Sequence, residues 1–334
     1  MDLPTIWFVA IAVLWTGYFV LEGFDFGVGM LLPVLGRDDT DRRVMINSIG
    51  PVWDGNEVWL ITAVGATFAA FPAWYGSMLS GLYLPLLAVV LALILRGVAF
   101  EYRGKVDDPT WRRRWDVAIV AGSSVPALVW GLVFANLLHG LPMDADHVVR
   151  AGFTDLVHPY ALLGAALTAT LFALHGAVFL ALKTDGPVRV LARAVAARVA
   201  LVAVPAMVAF LGWTVAEHRS VPTLAAAVVA VVALVAGTGL VARGREGRAF
   251  AATAVSVLAV AVVLFTAMFP VLLASTTDPA FALTVANAAS GPYTLTVMSW
   301  LALGLLPLVI GYQTWSYWVF RRRVTRAHIE PVHA

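Results

Sequence analysis

The sequence has no cysteine, and only 13% of its 334 residues are charged. The first absence removes thiolate metal sites, thiol nucleophiles and disulfides from anything the chain does alone. The second removes the water-soluble folds, because about a quarter of an average soluble domain is charged whereas a lipid-facing surface needs almost no charge. No two histidines stand at HxxxH or HxxH spacing, so no helix carries a ready pair of axial haem ligands. What the chain has in quantity is apolar residues, 61% of the total. A polytopic membrane protein follows.

Charge-free runs locate the crossings. Leu3 to Leu21 is apolar and continues through Glu22 and Asp25 to Leu35; it is too long, and its start too acidic, for a cleaved signal peptide. Val58 to Leu95 is 38 residues without a charge, and Pro72 with Gly76 predicts a tight turn in its middle, making a helical hairpin. Val117–Met143, Pro159–Leu182, Val199–Ala216, Ser220–Ala242 and Ala249–Thr277 each suit one span. The run Pro279–Phe320 reads as a loop followed by a last helix from about Tyr293. The expected fold is all-α and integral to the membrane, with nine transmembrane helices in one polytopic domain over residues 1–334. Basic residues then fall in Arg37–Arg43, Arg103–Arg114, Lys183–Arg198, Arg243–Arg248 and Arg321–Arg326 on one face, against Arg150 and Arg219 on the other. The positive-inside rule places the N-terminus outside and the C-terminus in the cytoplasm. Basic residues spread over short loops point to topology and lipid headgroups, not to nucleic acid.

Four acids interrupt the apolar helices: Glu22 and Asp25 in YFVLEGFDFGVGM, Asp54 and Glu57 in IGPVWDGNEVWLI. Each pair is spaced i, i+3, which puts both carboxyls on one helix face. A lone acid at mid-bilayer costs about 2.5 to 3.5 kcal/mol on insertion scales, so such groups need partners or protons. The topology draws all four to the cytoplasmic side, where protons would enter a buried reaction centre. The competing reading is that they neutralise Arg96 and Arg103, or cap helices. Asn56 and Thr62 could extend a relay or serve as interhelical hydrogen bonds, and Trp53 and Trp59 flank the acids. Among the histidines, His139, His158 and His218 lie at span ends and only His175 at mid-membrane, where a hydrogen-bonded core residue is the expectation. No haem ligand and no metal ligand is expected in the chain.

The segments YFVLEGFDFGVGMLLP, NSIGPVWDGNEVWLI and LILRGVAFEYRGK, in this order, resemble subunit II of the cytochrome bd-type quinol oxidases. The resemblance implies a heterodimer whose subunit I holds two haems b, one haem d and the quinol site and reduces dioxygen to water, in a bacterial or archaeal cell membrane. It implies a peripheral helix over 1–35 and four-helix bundles over 44–183 and 199–323. It assigns Asp54 to a proton path and Trp59 to an oxygen route; the spacing and topology of the acids add Glu57, Glu22 and Asp25 to that path, although some members of the family carry Gln where this chain has Glu57. A structural quinone and a small single-helix accessory subunit also occur in such complexes. A proton-coupled transporter and a purely structural subunit are the alternatives.

Overall fold

Prolines in first turns, preceded by capping side chains, mark where the long helices begin. The computed structural model describes residues 2–329. In them follow α1 (Leu3–Met30), α2 (Leu32–Leu35), α3 (Asp39–Ile49), α4 (Trp53–Ala70), α5 (Pro72–Gly81), α6 (Tyr83–Tyr102) and α7 (Pro109–His139). After these come α8 (Phe153–Leu156), α9 (Pro159–Lys183), α10 (Pro187–Glu217), α11 (Val221–Ala242), α12 (Glu246–Met268) and α13 (Pro292–Val319). Pro4, Pro109, Pro159, Pro187, Pro222 and Pro292 sit in first turns, where a missing N–H is no loss. Asp2, Asp108 and Ser220 cap α1, α7 and α11 by accepting from Thr5 N at 3.2 Å, Trp111 N at 2.9 Å and Thr223 N at 3.2 Å, satisfying donors the helix cannot. Among the described residues the one sheet is a short antiparallel pair, β1 (Val271–Leu273) and β2 (Leu283–Thr284), between α12 and α13.

Among the described residues, eight helices are long and apolar enough to cross a membrane: α1, α6, α7 and α9 to α13. The expected count of nine differs by α4, an 18-residue helix whose opening turns carry Asp54, Asn56 and Glu57. The turn expected at Pro72 and Gly76 is instead a helix of its own, α5, with Trp74, Ser77 and Met78 buried.

The long helices pack mainly on their neighbours in the chain. Helix α7 packs on α6, helices α9 to α12 pack on one another, and α7 also faces α9. Within this chain α1 packs on α4, α7, α9 and α12, whereas α13 has only Leu295 fully buried. Glycine sets how closely α1 packs. A Cβ on Gly27 would lie 2.0 Å from the Phe172 carbonyl oxygen, and one on Gly176 would lie 2.5 Å from Gly27 Cα, so α1 and α9 touch backbone to backbone. Small residues at such crossings are what hold membrane helices together, since lipid is as apolar as leucine. Gly27→Leu should therefore cost more than about 3 kcal/mol, because the clash is with backbone that cannot step aside; the check is the yield of folded protein in mild detergent.

Beyond α13 the chain turns back across the helix ends. Val324 N donates to the Lys183 carbonyl at 2.8 Å, Lys183 Nζ donates to the Arg322 carbonyl at 2.9 Å, and Arg326 pairs with Asp38 and, at 3.4 Å, with Asp41. The Asp41 backbone N–H, and then the Arg326 guanidinium, hold the Asp38 carboxyl below the usual carboxylate range. A carboxyl depressed in this way stabilises the fold above its ordinary range, and that contribution fades as the pH falls through the lowered value. Asn caps α3 as well as Asp does, so Asp38→Asn isolates the ion pair. Trypsin should cut at Arg321–Arg326 about two- to fivefold faster in that variant at neutral pH, and added salt should narrow the difference.

Candidate functional site

Three acids meet one base between α1, α4 and α6. Arg96 is fully buried on α6, and its Nη1 donates to Glu22 of α1 and, at 3.2 Å, to Glu57 of α4. Phe26 and Phe100 lie against the guanidinium, 4.9 Å and 5.3 Å from its carbon to their centroids, and Gly122 lets α7 pass behind it, since a Cβ there would lie 2.6 Å from Arg96 Cβ. Asp25, one turn after Glu22, is equally buried, and Glu22 Oε2 and Asp25 Oδ1 both lack a hydrogen-bond partner among the described residues. One guanidinium among three carboxylates would leave net negative charge in a low-dielectric interior, so bound protons are the natural way to balance the cluster.

A second set of contacts comes from the other side of Asn56. Its Nδ2 donates to Asp25 Oδ2 at 2.7 Å, and its Oδ1 accepts from Gln313 Nε2 at 3.0 Å and from the Tyr317 hydroxyl at 2.9 Å, both on α13. Neither residue stood out in the sequence. The available signal was that Gln313 is the one glutamine in the chain and lies in a largely apolar helix.

Asp54 stands apart from the other three acids. It is exposed at the start of α4, accepts from Gly55 N at 2.8 Å, and faces a cavity of about 310 Å³ between α4 and α13 that Gln313 and Ser316 also line. Glu57, three residues on, keeps a quarter of its side chain accessible while holding Arg96. The four acids thus form a sequence from surface to interior and not one cluster.

Arg103 does not reach these acids. Its Nε bonds Asp116 at 2.6 Å and its Nη2 bonds Asp39 at 2.7 Å, because it lies at the C-cap of α6, about two turns beyond Arg96. Thr62 also falls outside the cluster, donating to the Val58 carbonyl of its own helix at 2.9 Å. Trp59 is half-buried against α1, with its ring over Gly17, where a Cβ would lie 2.3 Å from Cε3. Trp53 packs on Phe100 with centroids 5.1 Å apart. His175 is fully buried, with Nδ1 2.8 Å from the Thr253 hydroxyl and Nε2 3.2 Å from the Val20 carbonyl, and Phe250 stacks on its ring at 4.8 Å. Both nitrogens are engaged by protein atoms, so it does not fit as an iron ligand.

Comparison with known proteins gives a consistent set of relatives. Residues 3–320 match the family described as cytochrome bd terminal oxidase subunit II. The chain is 44% identical to the cytochrome bd ubiquinol oxidase subunit 2 of Bacillus subtilis, over 99% of each chain. It is 36% identical to the cytochrome bd-I ubiquinol oxidase subunit 2 of Escherichia coli K12, over 97% of this chain and 96% of the relative. Its fold matches a chain of the bd oxidase structure from Geobacillus thermodenitrificans with a TM-score of 0.77 at 19% identity, covering 96% of this chain and 99% of that one.

Proposed function

Because the chain belongs to the cytochrome bd terminal oxidase subunit II family, we propose that it is the non-haem half of a quinol-oxidising, dioxygen-reducing membrane complex and gives protons a route inward. Reducing dioxygen to water consumes protons as electrons arrive, and a buried oxygen site needs a way to receive them. The carrying observation is the buried Glu22–Arg96–Glu57 cluster with Asp25 beside it, approached from a surface cavity that holds Asp54. Asp54 takes protons from the aqueous side. Glu57, on the same helix and a quarter accessible, passes them to the carboxyls around Arg96, which the guanidinium keeps in place. Trp59, packed on Gly17 beside this path, is the member proposed to border an oxygen route.

The two haems b and the haem d belong in this reading to subunit I, where they supply electron transfer from quinol and the reduction of dioxygen. The basic residues of the helix ends support a cytoplasmic face bearing the C-terminus, with α4 as the ninth crossing of a bacterial cytoplasmic membrane. Subunit I would sit against α4 and α13, the side on which the Asp54 cavity opens. The relatives compared are named as oxidase subunits, and the transporter alternative is not favoured.

The test is Asp54→Asn in the complex purified with its partner. Quinol-driven oxygen uptake should fall while the reduced-minus-oxidised haem spectrum stays intact. Unchanged turnover, or loss of the haem bands together with turnover, would overturn the reading in favour of a scaffold.

A further inference from the structure

Helix α13 is the least attached of the long helices, yet it sends two side chains toward the acid cluster. Its other polar groups mostly look after themselves: the Thr296 and Thr314 hydroxyls donate to carbonyls one turn back, at 2.8 Å and 2.7 Å. Gln313 and Tyr317 instead reach across to Asn56 Oδ1, a fully buried amide. A carboxamide offers one acceptor oxygen and one donor nitrogen. With both α13 donors on the oxygen, the nitrogen must face inward, where it gives its hydrogen to Asp25 Oδ2. An amide held by three such bonds has no rotamer that preserves them, and it surrenders its own protons far less readily than a carboxyl does.

We propose that Gln313 and Tyr317 are positioning residues for proton transfer: they lock Asn56 with its NH2 group on Asp25, so that the last helix fixes how Asp25 meets its proton. Asn56 is then a fixed stop beside the route, and protons pass by Glu57. This rests on the proton-route reading given above.

The experiment uses the whole complex carrying Gln313→Leu and Tyr317→Phe together. Releasing Asn56 lets it turn its oxygen toward Asp25, so quinol-driven oxygen uptake should fall by about tenfold, in line with the cost of a misplaced group, and its pH–rate profile should shift, with the haem spectrum unchanged. Tyr317→Phe alone, which removes one donor and no volume, should shift the profile in the same direction and covers the case in which the double variant does not assemble. Ser299→Ala is the control. It loosens the other end of the same helix, where Trp7 Nε1 donates to the Ser299 hydroxyl and the Leu295 carbonyl, both at 3.2 Å, and it should leave the profile where it was. A profile unmoved by Tyr317→Phe and by the double variant, or one moved equally by Ser299→Ala, overturns the proposal. Asp54→Asn separates the two levels: if it impairs turnover while the α13 variants do not move the profile, only the lock fails; if it is indifferent, the lock falls with the route.

Discussion

Arg96→Met should prevent the complex from assembling. Among the described residues the guanidinium is the cation paired with both Glu22 and Glu57, and removing one member of a buried ion pair costs about 3–5 kcal/mol because the other is left uncompensated. Against a total stability of about 5–15 kcal/mol for an ordinary domain, that is a large fraction. Lysine should not rescue, since a single ammonium on a flexible stem replaces a planar fork that spans two helices. Glu22→Met together with Arg96→Met removes both charges of the closest pair. Replacing a buried pair by apolar residues of similar volume is often nearly neutral, so much of the yield should return. Turnover should not, because a carboxyl of the route is gone. Haem content per purified complex separates the two outcomes, and a stable Arg96→Met complex would show that the acids are balanced by protons alone.

Asp54→Asn should behave in the opposite way, with intact assembly and turnover down by about a hundredfold, the scale of losing one positioned proton-transfer group. Its side chain is exposed and its hydrogen bond is to the neighbouring Gly55 N–H, so the substitution should leave stability within about 0.5 kcal/mol. Asp54→Glu keeps a titratable carboxyl in the same cavity and should retain a substantial part of the activity. Equal thermal midpoints for the three proteins, read beside unequal oxygen uptake, would locate the defect in proton delivery.

Much of this architecture could be read from the chain. The run Pro159–Leu182 corresponds to α9 within a residue, and the i, i+3 spacing of Glu22 and Asp25 does set both carboxyls side by side. The position of α1 could not be read in the same way. Lipid-facing and core-facing sides of a membrane helix are equally apolar, so hydropathy says that α1 crosses but not what it crosses against; only the glycines at 17, 23, 27 and 29 carried that information. For Asp54 and Glu57, a common helix face was legible, but not that the first lies at an open helix start while the second is covered by α6. Gln313 and Tyr317 stand 257 and 261 residues from Asn56, and no local pattern pairs positions so far apart.

Apart from Leu295, which is buried, the loosely held α13 has little apolar preference for one orientation about its own axis, because its other valines and leucines are as content against lipid as against protein. Beyond Leu295, its azimuth is set by polar contacts. Ser299 and Tyr317 are five turns apart at about 3.6 residues per turn and share one face, with Gln313 one turn before Tyr317. Shifting any of these by a single position swings it about 100° around the helix, away from Trp7 or Asn56. The apolar residues between them can therefore be exchanged freely, whereas the phase of these three cannot.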